Sequence, residues 1–320
     1  MHASSGGRLA NSGANQSTNL PLPVLRNYLP NAYISPNTFT TYNKSILAFL
    51  HNPKSGGTSI KRCITTLQKL KNESSPVVMA TNTASIITED LLNNVSTPSH
   101  YFMGESVIGV CDRVGGKPCA YFTMIREPYE RTISHYYFCR GGGPSWPPCN
   151  NTLEEFTLSL CSVLFRQLTL IVLCNQSRQG HVLSWQCDNR PMTIDYLPFD
   201  HAQRRPALEF ILQNLENIFA VVGILEEFET SLKLFEYTFG EPFYQKCRSE
   251  HSNSGNYVIN GAKSHQRRSS TREIIRDKEK RKLMQNPDIR RCLYEDVQIY
   301  KKMKEIFKQQ EIIYNKVVHL

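Results

Sequence analysis

The stretch AFLHNPKSGGTSIKRC, residues 48–63, joins the end of an apolar run to a helical pattern through a loop with one lysine and two glycines. The apolar run, residues 46–50, is continuous rather than alternating, which is typical of a strand that is buried on both faces. After the loop, Ile60, Ile64 and Leu67 recur at helical spacing, which predicts an amphipathic helix. A strand, a loop and a helix in this order form the building unit of parallel α/β sheets.

Two other continuous apolar runs, residues 120–125 and 219–222, also lead into helical patterns. Strands that alternate with helices predict an α/β fold, here a three-layer sandwich with a central parallel sheet and helices on both faces. In such folds ligands bind at the carboxyl ends of the strands. The lysine–glycine loop falls at such an end.

The chain has 320 residues, of which 40% are hydrophobic, and this is enough for one large core. Residues 1–44 are rich in Ser, Asn, Gly and Pro, so we expect a flexible N-terminal stem outside the core. Residues 45–320 are expected to form one domain. Near its end, Pro287 separates a basic segment from one long amphipathic helical pattern over residues 289–307.

The formal net charge is +9, from 37 Lys and Arg against 28 Asp and Glu. This excess favours a polyanionic partner such as an acidic polysaccharide or a nucleotide. No RNA- or DNA-binding signature occurs, so nucleic acid is not expected as a partner. The sequence also lacks an apolar run of about 18 residues and the apolar region of a signal peptide. If the protein is lumenal, its targeting segment is missing from this chain.

The ten cysteines include no CxxC pair, which argues against a zinc ribbon or a thioredoxin-type site. Three pairs have spacings compatible with small disulfide loops: Cys174 with Cys187, Cys139 with Cys149, and Cys111 with Cys119. The alternative is that about half of the cysteines are buried free thiols. N-x-S/T sequons, which fit a secretory lumen, occur at Asn15, Asn43, Asn72, Asn94, Asn150 and Asn175.

The loop after the first strand has the composition of an anion-binding site. Backbone N–H groups at a helix start, together with the helix dipole, attract phosphate or sulfate. Gly56 and Gly57 allow the backbone to approach the anion, and Lys54 adds a full charge. Hydroxyl donors are available at Ser55, Thr58 and Ser59.

This loop is not a Walker A motif, because its lysine precedes the glycines and no Gly-Lys-Ser/Thr sequence is present to hold magnesium. A nucleotide site that works without a metal is therefore expected. The alternative is a glycine turn that only caps the helix.

The segment YFTMIREPYERTISHYYFCR, residues 121–140, supplies a second anion site. Arg126 stands at the end of the predicted strand, and a proline suits the first turn of the helix that follows. Arg126 and Ser134 would then hold one phosphate between a guanidinium and a hydroxyl. The alternative for Arg126 is a surface ion pair with Glu127 or Glu130.

The pair PKSGGTS (residues 53–59) and IREPYERTISHYYF (residues 125–138) resembles the signatures of sulfotransferases that use 3′-phosphoadenosine 5′-phosphosulfate (PAPS). The resemblance covers residues 46 to about 310 and is closest to Golgi glycosaminoglycan sulfotransferases, above all the heparan sulfate and uronyl 2-O-sulfotransferases. It implies that residues 45–320 form a sulfotransferase domain with the P-loop-like fold of that family and without a metal. It also implies the Golgi lumen as location for a type II membrane glycoprotein whose anchor is not visible in this chain.

The resemblance also assigns cofactor-binding residues. It implies that the 5′-phosphosulfate contacts Lys54, Ser55, Gly56, Gly57, Thr58 and Ser59, and that the 3′-phosphate contacts Arg126 and Ser134. In KSHQRRSS, residues 263–270, a loop that folds over the nucleotide would add Lys263, Ser264 and Arg267. On charge alone, that basic run reads as a solvated helix face.

The stretch HYFMGESVIGV, residues 100–110, stands where 2-O-sulfotransferases have a His-Gly-His-Val stretch with the catalytic base. Here Glu105 takes the place of the histidine and is the predicted base, while Lys54 would stabilise the leaving oxygen. Since an exposed Glu has a pKa of about 4.3, burial would have to raise the pKa of Glu105 for efficient proton transfer. The other candidates for the base are His51, His100 and His135.

Two residues are expected to bind the acceptor sugar. His51 belongs to HNPKSGGTS, which resembles the HxxKxGGT start of 6-O-sulfotransferases, and Arg140 stands where 2-O members have an acceptor-binding arginine. The position that is sulfated therefore stays open.

The predicted function is that of a PAPS-dependent carbohydrate O-sulfotransferase acting on an acidic polysaccharide of the heparan, dermatan or chondroitin type, with the 2-O of hexuronic acid preferred. The alternatives are a catalytically inactive heparin-binding protein on the same fold, a 6-O-type carbohydrate sulfotransferase and a magnesium-dependent kinase. A homo-oligomer is compatible with each.

Overall fold

The computed structural model describes residues 28–33, 42, 44–71, 77–79, 101–105, 107–108, 110–111, 118–143, 149, 151–169, 204–251 and 269–318. The strands are β1 (Ile46–His51), β2 (Val77–Met79), β3 (Tyr101–Gly104), β4 (Cys119–Ile125) and β5 (Phe219–Ile224). The helices are α1 (Gly57–Lys71), α2 (Pro128–Arg140), α3 (Leu153–Ser159), α4 (Arg204–Ile218), α5 (Phe228–Phe239), α6 (Phe243–Cys247), α7 (Ser269–Gln285), α8 (Pro287–Cys292) and α9 (Tyr294–Val318). The segment 163–169 is also helical.

The five strands form one parallel sheet in the order β2-β3-β1-β4-β5. The three continuous apolar runs are confirmed as the strands β1, β4 and β5, and the α/β class with a parallel sheet is confirmed with them. The strands β2 and β3, which have three and four residues, were not predicted. Strands this short carry too few residues for a recognisable apolar pattern.

The sheet has a topological switch point between β1 and β4. From the carboxyl end of β1 the chain crosses to the β3–β2 side of the sheet, whereas from the end of β4 it crosses to the β5 side. Connections that leave two adjacent strands in opposite directions open a crevice between their carboxyl ends. The lysine–glycine loop follows β1 and Arg126 follows β4, so both predicted anion sites border this crevice.

The core is centred on β4, whose seven residues are all buried. The ring of Phe122 lies 5.3, 5.0 and 6.0 Å, between centroids, from the rings of Phe235, Phe239 and Phe243. These edge-on contacts join β4 to α5 and α6, and such aromatic pairs add favourable energy beyond the area they bury. The helices α5 and α6, which follow β5, thus pack against β4, one of the two strands at the switch point.

Part of the segment expected to be a stem belongs to the core. Tyr28, Ala32, Tyr33 and Tyr42 are buried there. Leu29 N–H donates to the Cys119 carbonyl at 2.8 Å, and Ala32 N–H donates to the Ala220 carbonyl at 2.9 Å. The expectation that residues 1–44 lie outside the core is therefore wrong for these residues, because their aromatic side chains outweigh the polar composition around them. The boundary at residue 44 otherwise stays a prediction.

Four disulfides join the eight cysteines in the described part of the chain. The predicted pairs Cys111–Cys119 and Cys139–Cys149 are confirmed. Two long-range pairs, Cys63–Cys247 and Cys161–Cys292, were not predicted. The alternative of free thiols is wrong for these eight residues. The pair Cys174 with Cys187 lies outside the described residues, as do all six sequons.

The C-terminal helical pattern is divided in two. The structure ends α8 at Cys292 and starts α9 at Tyr294, so the prediction of one helix over residues 289–307 is wrong at Leu293. Asn286 caps α8 by accepting hydrogen bonds from the N–H groups of Asp288 and Ile289. Among the helices of the described ranges, none combines the length and the apolar character needed to span a bilayer.

Candidate anion-binding site

The turn between β1 and α1 depends on its two glycines. Gly56 has φ +80°, and a Cβ there would lie 2.7 Å from Leu225 Cδ1. A Cβ on Gly57 would lie only 1.8 Å from His51 Cδ2. Any larger residue would therefore displace a packed neighbour, and at Gly56 it would also adopt a strained backbone. Lys54 itself has φ +66°, a conformation that is uncommon for a residue with a side chain.

The glycine turn leads directly into the positive end of a helix. At the start of α1, the Ile60 N–H donates a hydrogen bond to the Gly56 carbonyl at 3.2 Å. The N–H groups at positions 57–59 precede it, and the helix dipole places partial positive charge at this end. Thr58 is exposed here and Ser59 is buried. The geometry is that of an anion-binding helix start.

The two segments that were predicted to bind anions are in contact with each other. Arg126 Nη1 donates a hydrogen bond to the Lys54 carbonyl at 3.3 Å. The Lys54 ammonium lies 3.8 Å from the centroid of the Phe138 ring, on the helix α2 that begins just after Arg126. At the crevice between β1 and β4, Arg126 therefore contacts the loop that carries Lys54, and Lys54 contacts the helix that follows Arg126. Ser134 lies half-buried on α2, one helical turn before Phe138.

Arg126 takes part in an ion-pair cluster between α2 and α7. Its Nη2 lies 3.7 Å from Glu130 Oε2, and Glu130 also pairs with Arg276 and with Lys280 Nζ at 3.8 Å. Burial raises the pKa of Glu130, and the charges of Lys280 and Arg126 oppose that rise. Arg126 thus pairs with Glu130, as the alternative expected, but the pair is largely buried rather than on the surface. An anion at this place would compete with the Glu130 carboxylate.

A second group of titratable residues surrounds His51, at the carboxyl end of β1. Glu105, which follows β3, places Oε1 at 3.8 Å from His51 Nδ1. Burial lowers the pKa of His51 to about 3, and the charges of Lys61 and Lys54 add to this effect. His51 is therefore neutral at pH 7, and its contact with Glu105 is not an ion pair.

Burial raises the pKa of Glu105, while the nearby charge of Lys61 acts in the opposite direction. The same environment lowers the pKa of Lys61 by burial. A carboxylate with a raised pKa is a stronger base than an exposed one, which is the property that a general base needs. His135 is neutral at pH 7 as well, since burial, followed by the charges of Arg131 and Lys54, lowers its pKa to about 3.

Ser55 has a different part in the loop from the one expected. Its hydroxyl is fully buried and donates to Asn52 Oδ1 at 2.9 Å. Its N–H also donates to the Asn52 carbonyl at 3.3 Å. The hydroxyl of Ser55 thus stabilises the loop. The prediction that this hydroxyl donates directly to an anion is wrong for this structure.

The other predicted site residues fall in several places. Arg140 is exposed at the end of α2, on the same helix as Ser134. Lys263, Ser264, Arg267 and His100 lie outside the described residues. Sequence reasoning missed Lys61, Gln167, Arg276 and Lys280; the only available signal was the i,i+4 spacing of the last two in a basic segment.

Taken together, these features define an α/β protein with a parallel sheet, a glycine turn at a helix start, and a cationic residue after each of the two strands that border the switch point. Within the described ranges, no group of three or more His, Cys, Asp and Glu side chains is arranged to hold a metal ion.

The chain is similar to uronyl 2-sulfotransferases. It is 26% identical to the protein of that name from Homo sapiens over 154 residues. The aligned region covers 46% of this chain and 36% of the human protein. The Mus musculus protein of the same name matches with the same values. The match thus spans about a third of the relatives' own length, and it supports a relationship to sulfotransferases. No protein-family model matches the chain.

Proposed function

We propose that the protein is a PAPS-dependent sulfotransferase that modifies a hydroxyl group of a glycosaminoglycan-like polysaccharide, with the 2-O of hexuronic acid as the first candidate. The observation that carries the proposal is the contact between Arg126 and the Lys54 carbonyl at the switch point of the sheet. Two cationic groups at adjacent strand ends suit a ligand with two separated anionic groups. The similarity to uronyl 2-sulfotransferases supports the reaction class.

The residues of the crevice fit the donor. The donor supplies an activated sulfuryl group, whose transfer leaves 3′,5′-ADP. Lys54 and the first turn of α1 would hold its 5′ end, because the N–H groups and the dipole at the start of a helix attract an anion and Lys54 adds a full positive charge beside them. Arg126 and Ser134 would hold the 3′-phosphate, with Lys263, Ser264 and Arg267 as further proposed contacts.

Each catalytic group of this chain has a defined task. The Lys54 ammonium would stabilise the negative charge that develops on the leaving oxygen. The Glu105 carboxylate would accept the proton of the acceptor hydroxyl, and its raised pKa makes it a better base. His51 and the exposed Arg140 would bind the acceptor, whose negative charge suits a chain with net charge +9.

We also propose that the protein works in the Golgi lumen as a membrane-anchored glycoprotein. Four disulfides support an oxidising compartment, because such bonds persist there and are rare in the cytosol.

The test is transfer of labelled sulfate from PAPS to heparan and chondroitin acceptors by Lys54→Ala and Arg126→Ala variants. We expect transfer to fall by at least about 100-fold in each, since each loses charge stabilisation or donor positioning. Lys69→Ala and Arg205→Ala, which remove exposed cations of α1 and α4, are the matched controls and should keep full activity. Full activity of both Lys54→Ala and Arg126→Ala would contradict the proposal.

Three further measurements separate the alternatives. Arg126 is already paired with Glu130, and this favours a non-catalytic heparin-binding protein as the second candidate. Such a protein would bind heparin oligosaccharide in a calorimeter without measurable affinity for 3′,5′-ADP. A kinase would lose its activity in EDTA, whereas the proposed transferase would keep it. Disaccharide analysis of the product distinguishes 2-O from 6-O transfer.

A further inference from the structure

We propose that Gln167 is a positioning residue that couples the donor-binding loop to the catalytic carboxylate of Glu105. The proposal rests on the function proposed above and adds to it a residue that belongs to neither sequence motif. Gln167 lies on the helical segment 163–169 and is completely buried.

The side-chain amide of Gln167 joins two strand ends. Its Nε2 donates to the His51 carbonyl at 3.1 Å and to the Glu105 carbonyl at 3.4 Å. These carbonyls stand just beyond the last paired residues of β1 and β3, Leu50 and Gly104. The amide therefore continues the connection between the two strands at the point where the sheet ladder stops.

The oxygen of the same amide reaches the donor-binding loop. Gln167 Oε1 accepts a hydrogen bond from Asn52 Nδ2 at 3.1 Å, and Asn52 Oδ1 accepts from the Ser55 hydroxyl at 2.9 Å. Asn52 and Ser55 are also buried, with exposures of 1% and 0%. The chain of contacts thus runs from the position of the proposed base, through Gln167, to the residue that follows Lys54.

Because these groups are buried, the loss of any one of these hydrogen bonds is costly. A buried carbonyl or amide that loses its hydrogen bond carries the full cost of its desolvation, so the groups would move to find other partners. A shift of about 1 Å in a catalytic group is enough to slow a reaction by about 100-fold. Gln167 supplies two donors and one acceptor in a fixed arrangement that neither a carboxylate nor an apolar side chain reproduces.

The test compares Gln167→Met with Gln310→Met. Gln310 is a matched control, because it is also buried and also bridges three groups: it binds the N–H and carbonyl of Val222 and the Asn31 amide. It lies on α9 at β5, away from the crevice. Affinity for 3′,5′-ADP is measured by calorimetry below the melting temperature of each variant, and kcat and KM are measured with PAPS and a heparan acceptor.

We expect Gln167→Met to bind 3′,5′-ADP at least about fivefold more weakly and to lower kcat by about 10- to 100-fold. Gln310→Met should lower the melting temperature with unchanged ADP affinity. Gln167→Glu keeps an oxygen that can accept from Asn52, and its carboxyl regains one O–H donor when it is protonated. The affinity of this variant for 3′,5′-ADP, relative to wild type, should therefore improve as the pH falls. This variant carries the test if Gln167→Met does not fold.

The two proposals fail in different ways. If the wild type does not bind 3′,5′-ADP, the proposed function is wrong. If the wild type binds it and Gln167→Met keeps the same ADP affinity and kcat, the positioning role is wrong and the function stands. Equal loss of ADP affinity in Gln167→Met and Gln310→Met would also overturn the positioning role, because it would reflect stability alone.

Discussion

At the scale of single residues, burial shifts the pKa values of several side chains of the site toward their neutral forms. His51 and His135 are neutral at pH 7, since burial lowers the pKa of each to about 3. The carboxyl of Glu105 is shifted the other way, because burial raises its pKa. The proposed base thus stands beside a neutral imidazole, and the charge of Lys61 is the influence that favours its ionised form.

Glu105→Gln should stabilise the protein at pH 7 while it abolishes transfer. A raised pKa means that the folded state binds the proton more tightly than the unfolded state, so stability decreases as the pH rises through the folded-state pKa. The penalty is present above that pKa and absent below the ordinary value of 4.5. Because the side chain keeps 35% exposure, solvent screens part of it, and we expect a melting temperature about 1–3 °C higher.

Scanning fluorimetry between pH 4 and pH 8 measures this effect. The gain from Glu105→Gln should disappear at the acid end, and Glu209→Gln, at an exposed carboxylate of α4, serves as the control. A lower melting temperature of Glu105→Gln at pH 7 would show that the carboxylate is stabilised rather than strained by its surroundings.

At the scale of elements, a buried ion pair connects α2, which borders the proposed anion site, to α9. Arg131 Nη2 lies 3.6 Å from Asp296 Oδ2, with exposures of 2% and 1%. Asp296, on α9, also accepts hydrogen bonds from the N–H groups of Phe165 and Leu164 at 2.8 and 3.3 Å. Burial raises the pKa of Asp296, while Arg131 and these N–H donors favour its charged form. The pair therefore locks α2, α9 and the start of segment 163–169 together.

Asp296→Asn should lower the free energy of unfolding by about 3–5 kcal/mol, because it leaves the Arg131 guanidinium buried without its carboxylate. The double variant Arg131→Met with Asp296→Asn should lose less, since no uncompensated charge remains. Urea unfolding of the two single variants and the double variant gives the coupling energy. Additive losses would mean that the two side chains do not interact.

At the scale of the whole molecule, two long-range disulfides tie distant parts of the chain. Cys63–Cys247 joins α1, which follows the glycine turn, to α6, with a sequence separation of 184. Cys161–Cys292 joins the region after α3 to α8 with a separation of 131. Cross-links that close long loops restrict the unfolded chain the most, so these bonds have the larger entropic effect.

Replacing both Cys63 and Cys247 with Ala should therefore lower the free energy of unfolding more than replacing Cys139 and Cys149, whose separation is 10. The loop-length relation gives about 5 kcal/mol for the long loop and about 3 kcal/mol for the short one. Urea unfolding without reductant compares the two double variants, and an equal loss would contradict the loop-length explanation.

The sequence by itself determined the features that depend on neighbours along the chain. Three buried strands, the glycine turn at the start of α1 and the proline at the start of α2 follow from residue spacing and backbone preference. The two short disulfide loops follow in the same way, because their cysteines are only 8 and 10 residues apart. The two anion-binding segments could be placed at strand ends, since parallel strands present their carboxyl ends on one edge.

Only the tertiary structure decided which distant residues meet. It buried Tyr28 and Tyr33 in the core, set Lys61 beside Glu105, and placed Gln167 between the ends of β1 and β3. No local pattern indicates such contacts, because a buried amide or lysine has the same sequence surroundings as an exposed one. Their partners are chosen by chain packing, which desolvates each polar group and leaves it only the hydrogen bonds that the assembled elements bring within reach.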